Sequence, residues 1–147
     1  LSIGLVPDYL SVHTLEFTPV DCLANAIVKV ALSNCNLPVL HLCNPNLIKI
    51  PVLLKYINQL DFNMKLCTNE EFVAKINEYL KDKHLRNQIS GIINDLDKNK
   101  SINLVSRIII NADFSKNYLE NIGFKWPEIT EDYIQKFIEY FRINGYF

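Results

Sequence analysis

The chain has 147 residues with 15 basic and 16 acidic side chains, which is the size and charge balance of a single globular domain. Hydrophobic residues make up 49% and charged residues 21%, so the sequence predicts a packed core and excludes a disordered tail. The scattered basic residues exclude nucleic-acid binding driven by phosphate contacts, and the apolar runs are too short to span a membrane.

The amino terminus lacks the pattern of a secretory signal, and the four cysteines form no Cys-x-x-Cys pair. We therefore expect a cytoplasmic protein with reduced thiols and no metal site. Because the chain does not begin with methionine, we also expect the natural start to lie upstream of Leu1.

The first third of the chain predicts short strands that alternate with helices. Residues 1–20 are apolar without a helical period, which indicates loop and extended chain against another surface, and residues 15–18 within them predict a short strand. Asp21 is the expected N-cap of a helix over residues 22–33. The inner face of that helix is predicted to be Leu23, Ala26, Ile27, Val30 and Ala31. Residues 38–43 predict a buried strand with His41 as a core side chain.

The middle of the chain predicts a further helix, a strand and then mainly helices. Pro51 suits the first turn of a helix with Leu53, Leu54, Ile57 and Leu60 inside, and residues 64–67 predict a second strand. Thr68 and Glu71 form a capping box for a helix that runs to Leu80. A helical apolar face follows over residues 85–96, whereas residues 102–110 are ambiguous between helix and strand.

The last third of the chain predicts two capped helices. Ser115 or Asp113 is expected to cap a short helix that Gly123 ends. Thr130 is expected to cap the final helix, and its buried stripe is predicted to be Tyr133, Phe137, Ile138 and Phe141.

Tyr79 and Lys83 have the Tyr-x-x-x-Lys spacing in which a lysine ammonium activates a tyrosine proton donor. The charged residues 81–84 around this pair are typical of a solvated helix end, so we expect Tyr79 to be structural. The chain has only four glycines, and none of them forms a dinucleotide-binding loop. The sequence therefore predicts no catalytic residue and no cofactor site in this chain.

Several short segments carry a family resemblance, namely residues 4–8, 15–27, 41–46, 118–119 and 123–127. Together they resemble the carboxy-terminal part of thioester reductase domains, which are extended short-chain reductases of the NAD-binding, male-sterility type at the end of nonribosomal peptide synthetases. Fatty acyl, aminoadipate and carboxylic acid reductases are similar in the same segments. The resemblance covers nearly the whole chain.

The resemblance implies an α/β fold class, a fragment of a Rossmann-like reductase with a few short strands and a predominantly helical substrate-binding subdomain. Residues 1–67 would hold the last sheet elements and helices, and residues 68–147 would be mainly helical. The intact enzyme would use NADPH to release a carrier-bound thioester as an aldehyde or alcohol. Its glycine-rich loop and catalytic Tyr-x-x-x-Lys pair would belong to an amino-terminal Rossmann half outside this chain.

The implied partners are that Rossmann half and a phosphopantetheinylated carrier protein. The expected substrate-facing residues are Pro7, Tyr9, His13 and Phe17. Residues 1–17 are expected to pack on the Rossmann half or to line the acyl channel. The isolated chain is then expected to cover this segment by self-association, with a homodimer as the preferred outcome, or to leave it disordered. The alternative is an independent helical interaction module, and a glycine-rich βαβ unit upstream of Leu1 would distinguish the two.

Overall fold

The computed structural model describes residues 2–98, 102 and 111–146. Within them the short strands are β1 (Leu5–Pro7), β2 (Thr14–Leu15), β3 (Ile48–Lys49) and β4 (Lys65–Cys67), and Asp8–Val12 forms a 3-10 helix. The helices are α1 (Val20–Leu32), α2 (Ile50–Asn58), α3 (Asn69–Lys81), α4 (Lys83–Gln88), α5 (Ser90–Asn94), α6 (Asp113–Asn121) and α7 (Glu131–Ile143). The predicted α/β class with a helical majority is confirmed.

The chain divides into two compact units. Unit 1 comprises Leu1–His13, Lys49–Val105 and Thr130–Phe147, and unit 2 comprises Thr14–Ile48 and Ser106–Ile129. Both units draw on both sides of residue 67, since unit 1 includes residues 49–105 and 130–147 and unit 2 includes residues 14–48 and 106–129. The division of the chain into residues 1–67 and 68–147 stays a prediction. No helix in the described part of the chain is both long and apolar enough to cross a membrane.

The amino-terminal segment is an integral part of unit 1. β1 pairs in parallel with β4, with Leu5 opposite Lys65 and Pro7 opposite Cys67. Ile3 and Leu10 keep only 7% and 4% of their surface exposed. The expectation that this segment has no face to bury in its own chain is therefore wrong for these residues, because the strand pairing with β4 carries them into the core.

The helices of unit 1 begin where local sequence signals predict. The Thr68 hydroxyl accepts a hydrogen bond from the Glu71 amide at 3.2 Å, and the Glu71 carboxylate accepts from the Thr68 amide at 2.9 Å. This confirms the predicted capping box of α3. The Asp82 carboxylate caps α4 by accepting from the amides of Leu85 and His84, and these bonds hold the pKa of Asp82 below its usual value.

The core of unit 1 gathers residues from β4, α3 and the chain between α4 and α5. Its buried members are Ile3, Cys67, Phe72, Ile76, Tyr79 and Ile89. The predicted apolar face over residues 85–96 packs against this core, although the chain there forms two short helices instead of one. Residues 103–110 of the ambiguous segment lie outside the described residues, and Ile102 forms an antiparallel bridge with Leu96.

The final helix, α7, begins after the predicted cap Thr130, whose hydroxyl accepts from the Tyr133 amide at 3.3 Å. Its buried side chains are Ile134 and Ile138. The predicted stripe is wrong at Phe137, which is 39% exposed. The helix is turned so that Ile134 occupies the inner face.

Helix α1 begins at Val20 in unit 2, with Pro19 at the N-cap and no side-chain cap bond. The prediction that Asp21 is the N-cap is therefore wrong: the residue lies in the first turn, where its negative charge favours the positive end of the helix dipole. The inner face is also corrected, because Ala26 is fully buried whereas Ile27 and Ala31 are exposed.

Residues 38–43 are not a strand in this structure, and the His41 side chain is exposed. Both predictions for this segment are therefore wrong for the described chain. The physical reason is that no described backbone group pairs with these residues, and an apolar run forms a strand only where a ladder partner exists.

Helix α6 ends in a Schellman motif at Gly123, whose φ is +77°. The Gly123 amide donates to the Glu120 carbonyl, and the Phe124 amide donates to the Leu119 carbonyl. This confirms the predicted helix end. The predicted cap is wrong, because α6 starts after Ala112 without a side-chain cap. The Ser115 hydroxyl instead accepts a hydrogen bond from the His41 amide at 2.9 Å.

Candidate functional site

The four predicted substrate-facing residues do not form one cluster within a unit. Pro7, Tyr9 and His13 belong to unit 1, and Phe17 belongs to unit 2. Pro7 is fully buried in its unit, whereas His13 and Phe17 are half-buried. Tyr9 and His13 therefore remain the better-placed candidates in unit 1, and their contact with a substrate stays a prediction.

Tyr9 fixes a neighbouring segment of unit 1 through its hydroxyl group. The hydroxyl accepts a hydrogen bond from the Ile102 amide at 2.9 Å and donates to the Ile102 carbonyl at 3.2 Å. The ring remains 36% exposed. Tyr9 can therefore present its ring to a ligand while its hydroxyl is already engaged.

An open cleft of about 380 Å³ lies in unit 1 between the region of α4 and α5 and the aromatic face of α7. The residues that line it include Ser2, Gln88, Gly91, Ile92, Phe137, Phe141 and Tyr146. Its walls are mainly apolar, and its volume lies at the lower end of the range for small-ligand sites. We call it the aromatic cleft.

The aromatic rings of the cleft hold one another in edge-to-face contacts. The ring centroids of Phe137 and Phe141 are 4.7 Å apart, and those of Phe141 and Tyr146 are 5.0 Å apart. Such geometry is favourable for aromatic pairs. The cleft thus has a preformed apolar wall that suits a hydrocarbon or aromatic group more than a charged one.

Asn44 joins the segments of the family resemblance within unit 2. Its side-chain amide, which is fully buried, donates to the carbonyls of Phe17 at 3.0 Å and Pro127 at 3.1 Å. Its side-chain oxygen accepts from the Asn46 amide at 3.0 Å. The side chain of Asn46 donates to the Pro127 carbonyl at 3.0 Å. These motif residues therefore serve to hold loops together.

Comparison with known proteins gives a curated relative and similar solved structures. No protein-family profile matches the sequence. The curated relative is a linear gramicidin synthase protein of Brevibacillus parabrevis, which is 24% identical over 149 residues. The match takes in 99% of this chain and 3% of the synthase protein.

Three of the similar structures contain a reductase domain. The thiolation-reductase di-domain from an archaeal non-ribosomal peptide synthetase has a TM-score of 0.79 at 19% identity and covers 99% of this chain. The terminal R domain from the myxalamid PKS-NRPS biosynthetic pathway has a TM-score of 0.77 at 15% identity, also over 99%. The aureusimine biosynthetic cluster reductase domain has a TM-score of 0.68 at 18% identity over 97%.

The chain has the fold of part of a reductase domain. It spans 29%, 36% and 35% of the three solved chains. The predicted resemblance to the reductase domains of nonribosomal peptide synthetases is thereby confirmed for the fold.

Tyr79 and Lys83 do not form an activated pair in this reductase-like part. Helix α3 ends at Lys81, and Lys83 begins the separate helix α4. The Tyr79 hydroxyl donates to the Ser2 carbonyl at 2.7 Å, and the side chain is 9% exposed. Tyr79 therefore ties the amino-terminal segment to α3.

If the intact polypeptide reduces thioesters, replacing Tyr79 with phenylalanine should leave its turnover within about threefold of normal, since loss of a catalytic proton donor typically costs about 100-fold or more. The free energy of unfolding should fall by about 1 kcal/mol because one hydrogen bond is lost. Steady-state turnover and urea denaturation measure the two effects. A hundredfold loss of turnover in a stable variant would make Tyr79 catalytic.

The thiols of the described chain are suited to packing more than to nucleophilic chemistry. Burial raises the pKa values of Cys22, Cys43 and Cys67, which keeps these groups protonated at neutral pH. Among residues 2–98, 102 and 111–146, no group of three or more His, Cys, Asp or Glu side chains has the arrangement of a metal site.

Sequence reasoning missed both the aromatic cleft and the Asn44 contacts. The sequence predicts that Phe137 and Phe141 lie in the buried stripe of α7. The apolar pattern of a single helix does not show where the neighbouring elements leave a cleft, so the cleft could not be predicted. An Asn-Pro-Asn run is typical of a turn, but the carbonyls that Asn44 binds are 27 and 83 residues away in the sequence.

Proposed function

We propose that this chain is the carboxy-terminal, substrate- and carrier-facing part of an NADPH-dependent reductase. The intact enzyme would release a carrier-bound thioester as an aldehyde or alcohol in nonribosomal peptide synthesis. The main support for this proposal is the similarity in fold of 99% of the chain to part of a thiolation-reductase di-domain and to part of a terminal R domain.

The cofactor would be bound outside this chain. The four glycines, Gly4, Gly91, Gly123 and Gly145, form no phosphate-binding loop. The residues present do not fit NADPH, so this part would contribute to substrate binding and not to hydride transfer. The Rossmann half of the same polypeptide is the proposed cofactor-binding partner.

A phosphopantetheinylated carrier protein is the second proposed partner. One of the similar structures is a thiolation-reductase di-domain, in which a reductase is joined to a thiolation domain. A thioester on a carrier presents an acyl or peptidyl group at the end of a long arm, and that group needs an apolar site. The aromatic cleft supplies such a surface in unit 1.

Incubation of the intact polypeptide with NADPH and an acyl-pantetheine thioester tests the function. We expect NADPH oxidation that depends on the thioester, together with an aldehyde or alcohol product. Failure to oxidise NADPH with any of a series of aliphatic, aromatic and peptidyl thioesters, by a folded protein, would favour the independent interaction module.

Filling the aromatic cleft should weaken the reduction of apolar substrates. A Cβ added at Gly91 meets no heavy atom within 4 Å, so Gly91→Leu should fold normally and extend a side chain at the cleft wall. We expect kcat/KM to fall by about tenfold, the effect of about 1.4 kcal/mol of lost transition-state binding.

The matched control is Gly91→Ala, which gives α5 a similar gain in helix propensity without filling the cleft. It should retain kcat/KM within about twofold of the unmodified enzyme, because a Cβ at this position meets no heavy atom within 4 Å and leaves the cleft open. Equal activity of the Leu and Ala variants on long and aromatic thioesters would exclude the cleft as the acyl site.

A further inference from the structure

A second cavity, of about 220 Å³, lies in unit 2 beside α6. We call it the polar pocket, and the residues that line it are Pro45, Asn46, Lys116, Glu120, Lys125, Trp126 and Glu128. Its walls are mainly polar, whereas those of the aromatic cleft are mainly apolar. Its volume is below the range of sites for drug-sized ligands, so it suits a very small polar molecule.

The polar pocket contains two ammonium and two carboxylate groups that do not pair with one another. Lys116 and Glu120 are four residues apart on α6, a spacing at which opposite charges attract on a helix. Lys125 and Glu128 follow on the segment after that helix. Within the described part of the chain, none of these four side chains forms an ion pair. The pocket therefore presents both signs of charge to a ligand.

Ion pairs at similar spacing do form elsewhere in this chain. On α3 the Lys75 ammonium lies 2.9 Å from the Glu78 carboxylate. On α7 the Lys136 ammonium lies 2.7 Å from the Asp132 carboxylate. The charges of the polar pocket differ from these, because its lysines and glutamates remain available for other partners.

Hydrogen bonds and ring packing hold the walls of the polar pocket in place before any ligand binds. The Asn46 side-chain amide donates to the carbonyls of Trp126 at 3.3 Å and Pro127 at 3.0 Å. The Trp126 ring is 9% exposed and lies edge-to-face with Phe124, with the ring centroids 5.0 Å apart. Among the described residues nothing donates to the Asn46 side-chain oxygen, so it can accept from a ligand. A preformed site loses less free energy to ordering when it binds.

We propose that the polar pocket binds a small zwitterion, namely an α-amino acid with a short side chain. The ammonium groups of Lys116 and Lys125 bind its carboxylate, and the carboxylates of Glu120 and Glu128 bind its ammonium group. A simple anion is repelled by both glutamates and a simple cation by both lysines, whereas a zwitterion gives each charge a partner of opposite sign. The proposed thioester reduction does not involve this pocket.

Hydrogen exchange of the intact polypeptide with three probes tests the proposal. The probes are L-alanine, propionate, which lacks the ammonium group, and ethylamine, which lacks the carboxylate. Exchange at residues 116–128 should slow about tenfold when L-alanine is present at ten times its dissociation constant, because the ligand must leave before the site opens. Since exchange is measured at these residues, binding elsewhere on the polypeptide does not contribute.

The two single-charge probes decide whether the pocket recognises a zwitterion. At the same concentration, propionate and ethylamine should slow exchange at residues 116–128 by less than about twofold, because each leaves one sign of charge without a partner. Equal slowing by propionate would make the pocket an anion site, and equal slowing by ethylamine would make it a cation site. Either result would overturn the proposal, as would unchanged exchange with L-alanine.

Charge-neutralising variants test the assigned residues. Lys125→Gln and Glu128→Gln should each raise the L-alanine concentration for half-maximal slowing by at least about tenfold, because a charge-assisted hydrogen bond is lost. Both residues are exposed, so the variants should fold. The control is Lys55→Gln at an exposed position of α2 in unit 1, which should stay within about twofold of the unmodified protein. If all three variants respond to L-alanine alike, the polar pocket is not the site.

Discussion

Replacing Asn44 with alanine should lower the free energy of unfolding by about 2–4 kcal/mol, because the loss of a buried partner costs about 1–3 kcal/mol for each group left unsatisfied. The side chain is 0% exposed and makes three hydrogen bonds to backbone groups, at the Phe17 and Pro127 carbonyls and the Asn46 amide. Urea denaturation followed by circular dichroism measures the change.

Asn44→Asp should be destabilising to a similar degree at neutral pH. It keeps the side-chain oxygen that accepts from the Asn46 amide, but it replaces the NH2 group that donates to two carbonyls by an oxygen that can only accept. Asn36→Ala is the matched control, since Asn36 is exposed in the same unit and its replacement should cost less than about 0.5 kcal/mol. If Asn44→Ala behaves like this control, Asn44 does not hold the loops together.

Replacing Phe72 with alanine should cost about 3–5 kcal/mol, the usual range for removing a buried aromatic ring and leaving a cavity. Phe72 is 1% exposed and lies in the unit 1 core with Ile76 and Ile3. The substitution should also weaken the attachment of the amino-terminal segment, since Ile3 belongs to the same cluster. Urea denaturation measures the first effect, and hydrogen exchange at β1 measures the second.

Phe114→Ala provides the comparison for the loss of a ring at the surface. Phe114 is 60% exposed on α6, so its replacement should cost less than about 1 kcal/mol. Similar losses for Phe72 and Phe114 would contradict the core that the structure assigns. Normal exchange at β1 in the Phe72 variant would show that the amino-terminal segment is held by its strand pairing alone.

The features predicted correctly depend on residues close together in the sequence. Three such features are the capping box of Thr68 and Glu71, the cap at Thr130 and the helix end at Gly123. Each involves groups within five residues of one another, so it can be predicted without knowledge of the fold. The predicted N-cap Asp21 is wrong by two positions, because Pro19 occupies the N-cap and Asp21 lies in the first turn.

The features predicted wrongly depend on distant neighbours. Ile27 and Ala31 belong to an apolar stripe of α1, but that helix has two apolar sides, and packing against Leu119 and Trp126 selected the side with Ala26. Residues 38–43 have a strand composition, yet strand formation requires a partner chain segment that the described residues do not supply.

The sequence by itself therefore determined the α/β class, the starts of α3 and α7, the end of α6 and the resemblance to a reductase, because caps, periodicity and motifs are local properties of the chain. Tertiary structure alone decided that the amino-terminal segment is buried beside β4, that Asn44 bridges three loops and that α7 forms a wall of the aromatic cleft. Each of these features arises from groups that are far apart in sequence. Packing alone brings such groups together, because it selects one of several compatible faces and partners.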